Sequence, residues 1–112
     1  HNGVNVHHMT PSQLSSIVST AAAKRYGLYP RKGSLSVGAD ADVLILDPKG
    51  KFTFSTKSLH QNIDMCHYEG MTVGCSVHSV LVGGKLLVHK GSLINTDHHG
   101  KFLQRKPHDS HF

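Results

Sequence analysis

Histidine dominates the chemistry available to this chain: there are eleven, with His7-His8 and His98-His99 as adjacent pairs and His60, His67, His78 and His89 among the singles. A neutral imidazole is a good zinc ligand and a general base near neutral pH. Adjacent histidines on a strand point to opposite faces, however, and catalytic zinc sites gather ligands at i, i+2 or i, i+4 with a distant partner. The histidines are therefore read as structural or solvent-facing. Cys66 and Cys75 lie nine apart without a second pair, so they read as free thiols rather than a disulfide framework or zinc ribbon. No G-x-S-x-G elbow is present, and Ser15, Ser16 and Ser19 read as helix-surface serines. Asp40 and Asp42 flank Ala41 as a carboxylate pair, but at a strand entrance such side chains bond nearby amides, and a turn is the better account. Gly33, Gly38, Gly83 and Gly84 match no phosphate-cradling spacing and read as turn glycines.

The elements that must position these groups are few. Thr10-Pro11-Ser12-Gln13 reads as a capped helix start, with Leu14, Ile17, Val18, Ala21 and Ala22 at helical spacing and Gly27 as the stop, predicting a helix from Pro11 to Tyr26. Ahead of it, the first eight residues show no periodic pattern. Beyond Pro30 the pattern shifts to short apolar runs. Val43-Leu44-Ile45-Leu46 reads as a strand apolar on both faces and hence the most buried one, and Phe52 and Phe54 alternate as a half-buried strand. Val77 to Val82 and Leu86 to Val88 flank Gly83-Gly84, a two-residue hairpin signal. From Asn95 to Phe112 the chain reads as a surface tail. In 112 residues, one helix and a handful of strands complete neither a barrel nor an α/β sheet, so they read as the end of a larger fold.

Bulk properties narrow the partners. The formal charge of +5 comes from scattered Lys and Arg without a basic stripe, which argues against nucleic acid. No apolar run approaches membrane-spanning length, and reduced thiols suit the cytoplasm.

Gly27-Leu28-Tyr29-Pro30-Arg31-Lys32-Gly33, then Gly38-Ala39-Asp40-Ala41-Asp42-Val43 and Asp47-Pro48, closely resemble the dihydropyrimidinase and hydantoinase family and its non-enzymatic relatives, the collapsin response mediator proteins. His60-Gln61-Asn62, Tyr68-Glu69-Gly70-Met71, Gly74, Gly84-Lys85, Gly91 and Gly100-Lys101-Phe102 through Arg105 keep the family's order. The resemblance implies an α+β segment: residues 1–30 with the last helix of a (β/α)8 amidohydrolase barrel, 31–94 as C-terminal strands of the accompanying β-sandwich, and 95–112 as tail. It also implies a parent enzyme that opens dihydropyrimidines or hydantoins. In it two zinc ions bridged by a carboxylated lysine supply the hydroxide, and an aspartate carries the proton. Those ligands belong to strands upstream of this segment. The resemblance thus places no catalytic residue and no metal ligand here, and expects the segment to be inactive alone, partnered by the rest of its barrel within a cytoplasmic homotetramer.

One departure bears on the substrate. Asn2-Gly3 resembles the family's Asn-Gly at the substrate pocket, which makes Asn2 the substrate-contact candidate, but His1 stands for the usual proline and the G-x-E-x-R continuation is missing. Ser76 and His98 stand where the family often has proline and glycine. A non-catalytic assembly module of the collapsin response mediator type is the competing reading, and an independent histidine-rich metal binder is a third.

Overall fold

The computed structural model describes residues 1–59, 62–97, 100–105 and 107. His60, Gln61, His98 and His99, singled out above, lie outside them, as does most of the tail's end. After a wide π-type turn over Asn2–Val6, a continuous helical run begins as α1 (Pro11–Ser15), widens to π-type bonding over Ser16–Ala21 and closes as α2 (Ala22–Arg25). The π turn falls where no periodicity foretold helix. The cap of α1 is the expected one: Thr10 Oγ1 accepts from Gln13 N–H at 3.1 Å, and Gln13 Oε1 accepts from Thr10 N–H at 2.8 Å.

Behind the helix, the chain folds back along it. Leu28 N–H donates to the Ala23 carbonyl at 2.8 Å, and Thr20 Oγ1 donates to the Gly33 carbonyl at 2.8 Å. This return is possible because residue 33 has no side chain. A Cβ there would stand 2.6 Å from that of Ala23, and its φ of +77° lies in the left-handed region.

Among the described residues six strands follow: β1 (Val43–Asp47), β2 (Phe52–Thr53), β3 (Thr72–Val73), β4 (Ser76–Val82), β5 (Lys85–His89) and β6 (Ser92–Leu93). They make an antiparallel sheet in the order β1-β4-β5-β6 and a separate β2-β3 pair. Gly83 and Gly84, with φ of +56° and +80°, form the expected two-residue turn between β4 and β5. A second such turn at Lys90-Gly91 was not foretold, because its first residue is a lysine held at φ +48°. Two irregularities interrupt the ladders. His78 is an extra residue on β4 against β1, and Leu87 is an extra residue on β5 against β4.

Burial departs most from expectation. Among the described residues Ala23, at 7% exposure, is the one buried apolar side chain. Leu44, Ile45 and Leu46, expected to be the most buried strand, are 58%, 46% and 44% exposed, and β4 is the better covered. Ile17 and Val18, expected to pack inward, are 59% and 65% exposed. The apolar pattern is present, but the described residues supply no layer that covers it, so the expected burial is not found. Accessible surface makes the same point: 8972 Å² here, against about 6,100 Å² for a compact monomer of this mass. The radius of gyration is 15.9 Å, where about 13 Å is typical of this length.

Two substitutions separate the covered positions from the open ones. In this chain Ile17→Asp changes stability by no more than about 0.5 kcal/mol, because no buried charge results, instead of the several kcal/mol that a packed face would give. Gly33→Ala costs about 2 kcal/mol or more through the Ala23 clash and the left-handed backbone. Thermal unfolding followed by helix ellipticity distinguishes them, and a larger loss for Ile17→Asp would mean that the face is covered.

Candidate functional site

Two clusters carry the residues that sequence pattern singled out. The first is built by the N-terminal turn. Asn5 Nδ2 donates to the Gly74 carbonyl at 3.3 Å, and Gly74 N–H donates to His1 Nδ1 at 3.3 Å, closing a contact across more than sixty residues. Gly74 suits this approach, since a Cβ there would lie 3.0 Å from Asn5 Nδ2. Asn2 sits on the same turn, its carbonyl accepting from His7 N–H at 2.9 Å, and it is exposed. What Asn2 can do chemically is hydrogen-bond: its amide can donate to a carbonyl oxygen or accept from an N–H, and it brings neither nucleophile nor proton shuttle.

The second cluster gathers charge between the helix-return loop and the sheet. Arg31 Nε donates to both oxygens of Asp40 at 3.2 and 3.0 Å, while Lys32 Nζ lies 2.9 Å from Asp40 Oδ2 and is bonded to Asp42 as well. Asp42 also accepts from the Gly83 N–H at 2.8 Å, and Gly84 N–H donates to the Ala41 carbonyl at 2.9 Å. The carboxylates expected in a turn are therefore the clasp between that loop and the β4-β5 hairpin.

Charge follows from these bonds. The hydrogen bond from Lys32 holds both carboxyls below their ordinary 3.8, with the Gly83 amide helping at Asp42 and Arg31 at Asp40. Lys32 is raised above 10.5, chiefly by its hydrogen bond to Asp42. A group pair arranged this way is ionised and engaged across the neutral range, which suits a structural tie better than proton transfer.

Cys66 and Cys75 are free and partly covered, as read. Among the described residues no three or more His, Cys, Asp or Glu side chains gather as a metal-holding group. An open catalytic zinc site needs about three such ligands, so the described residues do not fit one. Sequence reasoning missed the pairing of His78 with His89, whose rings stand 5.4 Å apart. Regular counting back from a two-residue turn at Gly83-Gly84 sets 78 opposite 89, but the extra residue at Leu87 shifts the register so that Ser79 pairs with His89, and no local signal marks that shift.

The model of the amidohydrolase family matches residues 1–87. A D-hydantoinase of Ralstonia pickettii is 35% identical over 106 residues, covering 95% of this chain and 23% of that protein. A dihydropyrimidinase of Rattus norvegicus is 36% identical over 105 residues, covering 94% of this chain and 20% of its own length. Among solved structures, a D-hydantoinase from a Thermus species superposes with a TM-score of 0.86 at 35% identity, covering 96% of this chain and 24% of that one. The chain thus spans between a fifth and a quarter of the relatives it matches.

The clasp makes a prediction about acid and alkali. Asp42 has a folded value below its unfolded one, so its contribution is present above 3.8 and lost as pH falls through the lower folded value. Lys32, raised, contributes below 10.5 and loses that contribution as pH rises through its folded value. The Gly83 amide proton resonance therefore titrates with a midpoint below 3.8, and a midpoint at or above it would break the assignment. Asp42→Asn costs about 1 kcal/mol, a charged hydrogen bond discounted for solvent screening.

Proposed function

Because the chain belongs to the amidohydrolase family, we propose that it forms the C-terminal part of a cyclic-amide hydrolase acting on dihydropyrimidines or hydantoins. The observation that carries this reading is agreement in both sequence and backbone over nearly the whole chain with D-hydantoinase, at 36% identity and a TM-score of 0.86. Relatives named D-hydantoinase, D-phenylhydantoinase and dihydropyrimidinase are 33–36% identical over 94–95% of the chain.

In this reading the chain contributes architecture to the reaction. The exposed stripe of the helix and the two open faces of β1 are the surfaces on which the remainder of the fold packs, with residues 1–30 ending the barrel and 31–94 completing the sandwich. Burying them there recovers roughly 25 cal/mol per Å² of apolar area. The clasp at Asp42 keeps helix and sheet in one mutual orientation while they dock. Asn2, presented from the turn held at Gly74, stands at the rim of the substrate pocket and hydrogen-bonds one edge of the amide ring. The zinc requirement of the parent resides in ligands outside these residues, and no step is drawn through the metal. The whole protein assembles as a homotetramer in the cytoplasm.

Two measurements follow. Supplied with zinc and dihydrouracil, dihydrothymine or hydantoin, the purified chain leaves the ultraviolet absorbance of the ring unchanged relative to buffer, since orientation by one asparagine leaves most of the barrier standing. A zinc-dependent turnover abolished by substituting one of its histidines would overturn the division of labour. In sedimentation, the chain associates increasingly with concentration through its open apolar faces. A monomer that persists at high concentration would speak against surfaces built for docking.

A further inference from the structure

On β4 and β5, away from both clusters, two imidazoles converge on one buried hydroxyl. Ser79 is 5% exposed and pairs across the ladder with His89. His89 Nδ1 lies 3.4 Å from Ser79 Oγ, and His78 Nδ1 lies 2.9 Å from the same oxygen. In a regular strand His78 would point to the face opposite Ser79. Its position as the extra residue of the bulge against β1 is what re-aims it. The two rings meet edge to face, 5.4 Å between centroids and 87° between planes, while both residues remain open to solvent.

We propose that His78 and His89, with the Ser79 hydroxyl between them, form a binding site for an imidazole-preferring divalent transition metal such as Zn2+, Ni2+ or Cu2+. A tetrahedral ion with bonds of about 2.0–2.1 Å has donor-to-donor edges of roughly 3.3–3.4 Å. The His89 Nδ1 to Ser79 Oγ separation of 3.4 Å falls at that length, while His78 Nδ1, hydrogen-bonded at 2.9 Å, would move outward by about 0.4 Å on exchanging that bond for a metal bond. Ser79 by itself does not require this arrangement. A buried hydroxyl is satisfied by one or two ordinary partners, and a backbone carbonyl would serve. Two rings turned upon it from adjacent strands supply instead a chelating pair on a rigid support, with water free to fill the remaining positions. Imidazole donors select zinc, nickel and copper over magnesium and calcium, which favour oxygen ligands. The ion would tie β4 to β5 independently of the hairpin's backbone bonds.

The test is a titration of the full 112-residue chain with zinc sulfate, followed by calorimetry and by the imidazole resonances of all its histidines. Zinc is expected to perturb the His78 and His89 ring signals first and at one equivalent. His78→Gln and His89→Gln each weaken that event by about tenfold or more, the loss of effective concentration when one of two tethered donors is removed. His67→Gln, outside the pair, leaves it unchanged. Amide spectra recorded without metal verify that each variant keeps the parent fold, and the parent's ring signals give an answer that needs no variant. First perturbation of other histidines, unchanged affinity in both glutamine variants, or an equal loss in His67→Gln would overturn the site.

Discussion

Asp42 ties the helix-return loop to the larger sheet. Its carboxylate accepts from the Lys32 ammonium on one side and the Gly83 amide on the other, while the neighbouring Ala41 carbonyl takes the Gly84 amide. Everything N-terminal to it is organised by the helix and its return through Ala23 and Gly33. The larger sheet C-terminal to it is organised by the ladders of β4 against β1 and β5, with β2 and β3 a separate pair. A carboxylate suits this junction because it offers several lone pairs at once and, being charged, makes stronger bonds than a neutral acceptor would. The same demand explains the neighbouring Asp40: Lys32 and Arg31 bring two positive charges to the loop, and one carboxylate alone would leave excess charge beside the turn.

That junction matters more because there is so little core. With Ala23 as the buried apolar side chain among the described residues, the elements are held by directional bonds at their seams rather than by shared burial. Hydrogen bonds contribute about 1 kcal/mol each in water, whereas burying one large aliphatic side chain contributes about 1.5–3 kcal/mol. The balance of forces is therefore unusual for a chain of this length, and it is restored once the helix stripe and β1 are covered. In the function proposed above, the remainder of the fold is what covers them.

The helix, the glycine turn of the β4-β5 hairpin and the half-buried Phe52 were legible because each is written in local signals: a capping box, paired residues able to take positive φ, and alternation. The role of Asp40 and Asp42 was legible for the same reason, since aspartate beside a turn bonds amides. Burial was not legible. Val43 to Leu46 carry the pattern of a strand enclosed on both faces, and a pattern records what a segment requires, not whether its own chain provides it. The short strands β3 and β6 were missed because two residues give no periodicity. His78 escaped notice for a subtler reason: its direction is set by a bulge, and nothing in its immediate sequence marks one. The placement of Asn2 on a turn tied to Gly74 also depends on a contact between residues far apart in the chain, which local reading does not reach.

The two extra residues, His78 against β1 and Leu87 against β4, give the sheet a distinctive tolerance to changes in length. Removing one residue from a regular stretch of ladder moves every following side chain to the opposite face. At a bulge the same removal heals an irregularity and leaves the pairing on either side in phase. Loss of residue 78 would regularise β1 against β4 without disturbing the pairs from Ser79 to Val82 with β5. Loss of residue 87 would regularise β4 against β5, at the expense of the carbonyl that accepts the Ile94 amide. Single-residue deletions in this sheet are thus channelled to two positions, and one of them is a histidine whose side chain the bulge has turned toward its neighbour across the strands.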